Sequence, residues 1–255
     1  MTTITAPPTP LVRPPLLRRL AAEAVGTAAL AAVVVGSGIR ASALSADGGV
    51  RFLANVGASA LALIVLIELL GPVSGGHFNP LVTAGAWWTG RRGGSGPSLP
   101  ELAGYVGAQL VGAVAGTGLA NAMFARPFVE LSGQDRDGPA LWLGEAVGTG
   151  VLLLVVFGLT AAGRGRLVPA AVGLWIGAAC WATSSGSFAN PAVTFGRALT
   201  DSYTGIAPGS VPGFVLAQLL GAAGGLTLVA LLFGRGRRTS PKQVPSDARD
   251  LLEHR

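Results

Sequence analysis

The polar residues that recur in this chain are amides and carboxylates, whose chemistry is hydrogen bonding. Each half of the sequence carries one copy of three short motifs, in the same order. The copies are Glu23-x-x-Gly26-Thr27 and Glu145-x-x-Gly148-Thr149, Asn79-Pro80-Leu81-Val82-Thr83 and Asn190-Pro191-Ala192-Val193-Thr194, and Ala108-Gln109-Leu110 and Ala217-Gln218-Leu219. No nucleophile and base recur with them, because His77 adjoins an Asn-Pro motif and His254 lies near the C-terminus. We therefore expect no enzyme activity.

The elements that position these motifs are predicted to be membrane-spanning helices. Half of the residues are hydrophobic and only 12% are charged, about half the charged share of ordinary soluble domains. Six apolar stretches are long enough to cross a bilayer, which takes about 20 helical residues. They are 20–39, 52–71, 102–124, 140–162, 167–184 and 211–233. The composition therefore predicts an all-α membrane protein.

The three repeated motifs divide the chain into two halves of three spans each. Because three is an odd number, the second half must enter the membrane from the opposite side, so the repeat is inverted. The predicted channel domain covers residues 18–234, with halves at about 20–125 and 140–234. The first span is preferred to a cleaved signal peptide because Glu23 belongs to the repeat.

Each Asn-Pro pair is typical of a helix start, since Asn is a good N-cap and Pro is favoured at the first helical position. The apolar segments that follow, 81–89 and 192–200, are too short to span a bilayer. They fit half-helices that enter from opposite faces. Irregular backbone at that depth is tolerated only where it lines a water-filled cavity, so the flexible loops 75–78 and 184–187 predict a pore.

The ends of the chain and its charges predict how it lies in the membrane. Residues 1–17 and 235–255 are expected to be disordered cytosolic tails. With both termini cytosolic, most of the 18 Lys and Arg residues lie on that side, which follows the positive-inside rule. The rule accounts for the basic charge, so we expect no nucleic-acid partner. The predicted location is a bacterial-type inner membrane.

A single cysteine, Cys180, provides neither a disulfide nor a cysteine metal site within one chain. We interpret it as a small packed residue. We expect no metal and no cofactor.

The paired motifs resemble the aquaporin or major intrinsic protein family over residues 20–234. The resemblance implies six membrane helices plus two re-entrant half-helices, and a homotetramer with one pore per subunit. It also implies that Asn79 and Asn190 meet at the membrane centre with their amides facing the pore. There they would donate to a passing oxygen, while the helix N-termini oppose cations. The motif residues are Asn79, Pro80, Leu81, Asn190, Pro191 and Ala192.

The same resemblance gives roles to the loops. The backbone carbonyls of Gly75, Gly76, His77, Ser185 and Gly186 would form a ladder of hydrogen-bond acceptors for the solute. Glu23 and Glu145 would hold the loop N–H groups, an interpretation that we prefer to a proton relay. His77 is interpreted as a hydrogen-bonded loop residue, although a pH-sensing role is conceivable.

Several residues depart from the family pattern. Val193 replaces the Arg that follows the second motif in water-selective members, and Leu81 replaces the Ala of the first motif. Counting without gaps from the two asparagines assigns Ser59, Ala178 and Ser187 to the rest of the selectivity filter. This filter is expected to be wide and weakly polar. Arg197, one helical turn beyond Val193, would lie in the outer vestibule and either attract anions or pair with Asp201.

These features predict a passive channel for small neutral solutes and water. The expected solutes are glycerol-like polyols and metalloid hydroxides such as arsenous acid (arsenite). The metalloid is included because Val193 resembles the Val that replaces the filter Arg in a bacterial subgroup of the family associated with arsenic resistance. The partners are these solutes, water, the lipid bilayer and further copies of the chain. One alternative is a strict water channel. Another is a proton-coupled secondary transporter with Glu68 as the carrier, although Glu68 fits an interfacial, loop-anchoring or pore-mouth role equally well.

Overall fold

The computed structural model describes residues 13–91 and 96–234, and these residues form eight α-helices and no strand. The helices are α1 (Leu16–Leu44), α2 (Gly48–Ser74), α3 (Pro80–Gly90), α4 (Leu99–Met123), α5 (Pro139–Ala161), α6 (Val168–Ala182), α7 (Pro191–Arg197) and α8 (Val211–Phe233). Short 3-10 turns precede α6 and α8. Six of the helical segments are long and apolar enough to cross a membrane. The predicted fold class is therefore confirmed.

The helix boundaries differ from the prediction by up to five residues, and the largest difference is at the end of α1, which reaches Leu44 and not residue 39. The first helix begins at Leu16, inside the segment expected to be a tail, because Pro14 and Pro15 precede two leucines that can join the helix. The half-helix α7 ends at Arg197 and not at residue 200. Residues 1–12 and 235–255, which hold most of the two predicted tails, lie outside the described residues.

The two half-helices start as the sequence predicts. The Asn79 side chain accepts a hydrogen bond from the Leu81 N–H, and Asn190 accepts from the N–H groups of Ala192 and Val193. Pro80 and Pro191 occupy the first helical position, where a missing N–H costs no hydrogen bond. Local sequence therefore fixes both starts.

Glycine allows two helix pairs to pack closely, and these pairs correspond in the two halves. On α4, a Cβ at Gly112 or Gly116 would collide with a backbone carbonyl of α1. On α8, a Cβ at Gly221 or Gly225 would collide with a backbone carbonyl of α5. Helices in membranes commonly associate through such small residues. The α1–α4 and α5–α8 pairs are thus the close contacts that hold each half together.

The outer faces of the helices are apolar. On α2, Leu61, Val65 and Leu69 are each at least 60% exposed. Apolar side chains exposed along one helix face suit contact with lipid, where they have no need of a protein partner.

Candidate pore and its asparagine loops

A buried carboxylate holds the first loop in place. Glu23 is fully buried in α1. One of its oxygens accepts from the Ser74 hydroxyl at 2.6 Å and the His77 N–H at 3.0 Å. The other accepts from the Phe78 N–H and from Gln109 Nε2, each at 2.7 Å. Since the Glu23 oxygens take these N–H groups, the loop carbonyls stay available to the cavity.

The second loop has an equivalent arrangement. Glu145, also fully buried, accepts from the N–H groups of Phe188 at 2.8 Å and Ala189 at 2.9 Å. Gln218 Nε2 donates to the same carboxylate at 2.7 Å. Gln218 also donates to the Thr194 hydroxyl, as Gln109 does to Thr83. Each carboxylate is therefore tied through an amide to the half-helix of its own half.

The two asparagines are joined across the repeat. Asn79 Nδ2 donates to the carbonyl of Ala189 at 2.7 Å, and Asn190 Nδ2 donates to the carbonyl of Phe78 at 2.8 Å. Phe78 and Ala189 both have positive φ, 47° and 48°, which turns these carbonyls towards the opposite loop. An amide carries two N–H groups, so one N–H of each asparagine remains without a partner in the described protein.

A cavity of about 1460 Å³ is lined by residues from both ends of the helix bundle. At one end, here the Arg19 mouth, the lining residues include Arg13, Arg19, Pro97, Arg166 and Pro169. At the other end, the Arg197 mouth, they include Phe52, Arg136, Phe188, Arg197 and Tyr203. Between them lie both asparagines and the predicted carbonyl-ladder residues Gly75, Gly76, His77, Ser185 and Gly186. This is the geometry of a path through the membrane.

Known proteins are similar to this chain in sequence. The major intrinsic protein family model matches residues 11–185 and 166–251. The chain belongs to this family. It is 45% identical over 235 residues to the aquaglyceroporin AqpS of Rhizobium meliloti (strain 1021), covering 90% of this chain and 98% of that protein. It is 31% identical over 236 residues to the probable aquaporin AqpM of Archaeoglobus fulgidus, covering 81% and 93%.

A solved structure has the same fold. The X-ray structure of the aquaglyceroporin from Plasmodium falciparum superposes with a TM-score of 0.67 at 20% identity, covering 93% of this chain and all of that one. Together with the six apolar helices, family membership makes this chain a multi-pass membrane protein.

Three of the four predicted filter residues of this major intrinsic protein line the cavity, and one does not. Ser59, Ser187 and Val193 line it. Ala178 is exposed on the outside of α6, so its assignment to the filter is wrong. Ile176 and Cys180 line the cavity from this helix instead. Residues two apart on a helix point about 200° away from each other, so a gapless count that is two residues off selects the opposite face.

Cys180 was interpreted as a small packed residue, and that description is incomplete. It is largely buried, but it borders the cavity. The sequence carried a signal for this, because Val172, Ile176 and Cys180 follow the i, i+4 spacing of one helix face and all three line the cavity.

Arg197 lines the cavity but does not pair with Asp201. Its Nε donates to the carbonyl of Thr204, and its guanidinium lies 3.3 Å from the centre of the Phe188 ring. The Asp201 side chain instead accepts from the N–H of Gly133 at 3.1 Å. The segment after α7 turns back on itself, which carries Asp201 away from the helix face that Arg197 occupies.

Arg136 is a cavity residue that the sequence analysis missed. It lies in the loop between α4 and α5, and its guanidinium lies 5.4 Å from the centre of the Phe188 ring. Burial lowers the pKa of the Arg136 guanidinium, an effect opposed by nearby Tyr203 and Glu145. Arg136 belongs to none of the repeated motifs, so the neighbouring sequence did not indicate that it lines the cavity.

His77 and Glu68 also border the cavity. The His77 ring lies 3.1 Å from the Thr83 hydroxyl and packs against Tyr105. Glu68 forms no hydrogen bond or ion pair with the described residues, and it is exposed on α2.

Proposed function

We propose that this protein is a passive channel for small neutral solutes, with glycerol-like polyols and water as its substrates. One observation carries the proposal: a single cavity reaches both mouths and contains, at its centre, two buried asparagines that each keep an N–H group for a solute. Hydroxyl groups and water accept such hydrogen bonds, whereas a cation between the two asparagines faces their N–H groups and the positive ends of two half-helices. Family members are channels, which agrees with a role other than catalysis.

The chemistry around Val193 favours polyols over water alone. Val193, Ser59 and Ser187 are uncharged, and none is as large as an arginine. Pore width and the chemistry of the pore lining set selectivity. A constriction formed by these three side chains is wide enough for a solute with several hydroxyl groups. The name aquaglyceroporin, carried by a relative of almost the same length, supports this substrate class. Arsenous acid presents the same chemistry, three hydroxyls on a neutral centre, and we include it as a substrate.

The hydrogen bonding of the carboxylates supports passive flux. Glu23 and Glu145 accept hydrogen bonds from loop and glutamine donors, which supports a role in holding the loops over a proton relay. His77 is likewise a loop residue held by Thr83.

The arginines near the chain start support an orientation in a bacterial-type inner membrane. Arg13 precedes α1, Arg18 and Arg19 lie in its first turn, and Arg164 and Arg166 lie at the same end of the bundle, so this end would face the cytosol with both termini. The exposed apolar helix faces suit lipid and neighbouring copies, in line with a homotetramer.

Stopped-flow light scattering on proteoliposomes tests the proposal. We expect fast, non-saturating uptake of glycerol and arsenous acid by the natural protein, without a proton gradient. Val193→Arg should reduce glycerol uptake at least tenfold, because the longer cationic side chain narrows the path, while water flux falls less. Val193→Ala is the matched control and should retain uptake.

Two outcomes would contradict the proposal. Fast water flux with both solutes excluded from the natural protein would mean a strict water channel. Flux that requires a proton gradient, and that Glu68→Gln abolishes, would mean a coupled transporter.

A further inference from the structure

The Arg197 mouth contains two arginines that meet no carboxylate. Among the described residues, the ion pairs are Arg19–Glu101 and Arg126–Glu130, so neither Arg136 nor Arg197 takes part in one. Every hydrogen bond that these two guanidinium groups donate within the described protein goes to an uncharged oxygen. The acceptors are the carbonyls of Thr204, Gly205 and Tyr203 and the side-chain oxygen of Gln134.

Phe188 brings the two arginines to one place. Its ring centre lies 3.3 Å from the central guanidinium carbon of Arg197 and 5.4 Å from that of Arg136. Stacking on an aromatic face is a favoured arrangement for arginine and fixes the plane of the guanidinium group. All three residues line the cavity, so both cations face the same space.

Three carboxylates near this mouth accept hydrogen bonds from other groups. Glu145 accepts from Phe188, Ala189 and Gln218 on the other side of the loop. Asp201 accepts from the N–H of Gly133, and Asp137 accepts from the Ser210 hydroxyl. Two partly buried cations that contact no carboxylate are costly, and an anion from solution can offset that cost.

We propose that Arg136 and Arg197 form a binding site for a small oxyanion, of the carboxylate or phosphate class, at the Arg197 mouth. The terminal nitrogens of Arg197 have no partner in the described residues, so they can donate to two oxygens of one ligand. Arg136 supplies the second charge. The site lies one helical turn beyond Val193, so a bound anion obstructs the path and lowers the uptake of neutral solutes.

Isothermal titration of the full-length protein in detergent tests the site. The probes are inorganic phosphate and acetate, each added at constant ionic strength in sodium chloride. We expect saturable binding of at least one probe. Arg197→Gln and Arg136→Gln should each weaken it about tenfold or more, since each removes a charge-assisted contact. Arg51→Gln is the control, because Arg51 lies at the same end, bonds to the Ser45 carbonyl and does not line the cavity.

Arg197→Lys distinguishes the contribution of the planar guanidinium group to anion binding from the contribution of its positive charge alone. It keeps the charge but loses the paired donors, so binding should fall between that of the natural protein and that of Arg197→Gln. A single symmetric gel-filtration peak and a thermal unfolding midpoint close to that of the natural protein show that each variant is folded.

Three results would overturn the site. They are no saturable heat with either probe, binding that survives both glutamine variants, and equal competition by chloride, which would indicate general attraction of anions. Because binding is measured without flux, its failure would leave the proposed channel function intact, and the failure of that function would leave the binding result intact.

Discussion

Glu23 accepts four hydrogen bonds in its half of the pore, whereas Glu145 accepts three in the other. The additional donor to Glu23 is the Ser74 hydroxyl. The other donors correspond in the two halves: two loop N–H groups and one glutamine amide bind each carboxylate. The mouths do not match: Arg19 is paired with Glu101, and Arg197 is unpaired and stacked on Phe188. The hydrogen-bonding frame is thus repeated while the mouths differ, so we expect stability and selectivity to depend on different residues.

The largest expected effect is the loss of a buried carboxylate. Glu23→Leu leaves four hydrogen-bond donors without their acceptor, three of them buried and one partly buried, and each buried donor left unsatisfied costs about 1–3 kcal/mol. We expect this variant to lose more stability than Glu145→Leu, which leaves three. Thermal unfolding in detergent measures the difference, and glycerol uptake should be lost in both.

Glu68→Leu is the control for this comparison, because Glu68 borders the cavity without a hydrogen bond to the described residues. It should unfold close to the natural protein. If Glu145→Leu lost more stability than Glu23→Leu, the number of hydrogen bonds to each carboxylate would not explain the stability of the two halves.

A smaller effect is expected at the glycines that join helices. A side chain at Gly221 would collide with the carbonyl of Ala146, so Gly221→Val should destabilise the protein by about 1–3 kcal/mol. Gly224→Val on the same helix meets open space and should cost much less. Gly112→Val and Gly107→Val are the equivalent pair on α4. Chemical denaturation compares all four, and similar midpoints within each pair would refute the packing argument.

The smallest effect is expected at the Arg19 mouth. Arg19 lines the cavity mouth, where its ion pair with Glu101 lies close to water, and such pairs contribute about 0–1 kcal/mol. Arg19→Gln should therefore change unfolding only slightly and leave phosphate binding intact, in contrast to Arg197→Gln. A tenfold loss of phosphate binding in Arg19→Gln would remove the distinction between the mouths.

The parts of the fold that could be predicted from sequence are those encoded locally or repeated. Apolar length gave the spans, and the Asn-Pro pairs gave the half-helix starts, because N-caps and first-position prolines act over a few residues. The placement of Glu23 and Glu145 followed from their recurrence in the repeat.

The residues that sequence reasoning misplaced depend on rotation and chain path. Ala178 was selected by counting from the asparagines, and such a count does not fix which face of α6 packs towards the cavity. Arg136 reaches the mouth because its loop pairs with a distant segment, through bonds such as Ala207 N–H to the Gln134 carbonyl. Such pairings leave no local pattern in the sequence.

The crossed bonds between the asparagine loops have a consequence for how the chain is made. The acceptor for the Asn79 amide is the carbonyl of Ala189, 110 residues later in the sequence. During synthesis, the Asn79 amide therefore lacks this hydrogen-bond acceptor until the chain has been made and inserted as far as Ala189. Neither half can complete its own pore centre, so the smallest assembly that closes the path is the pair of halves together.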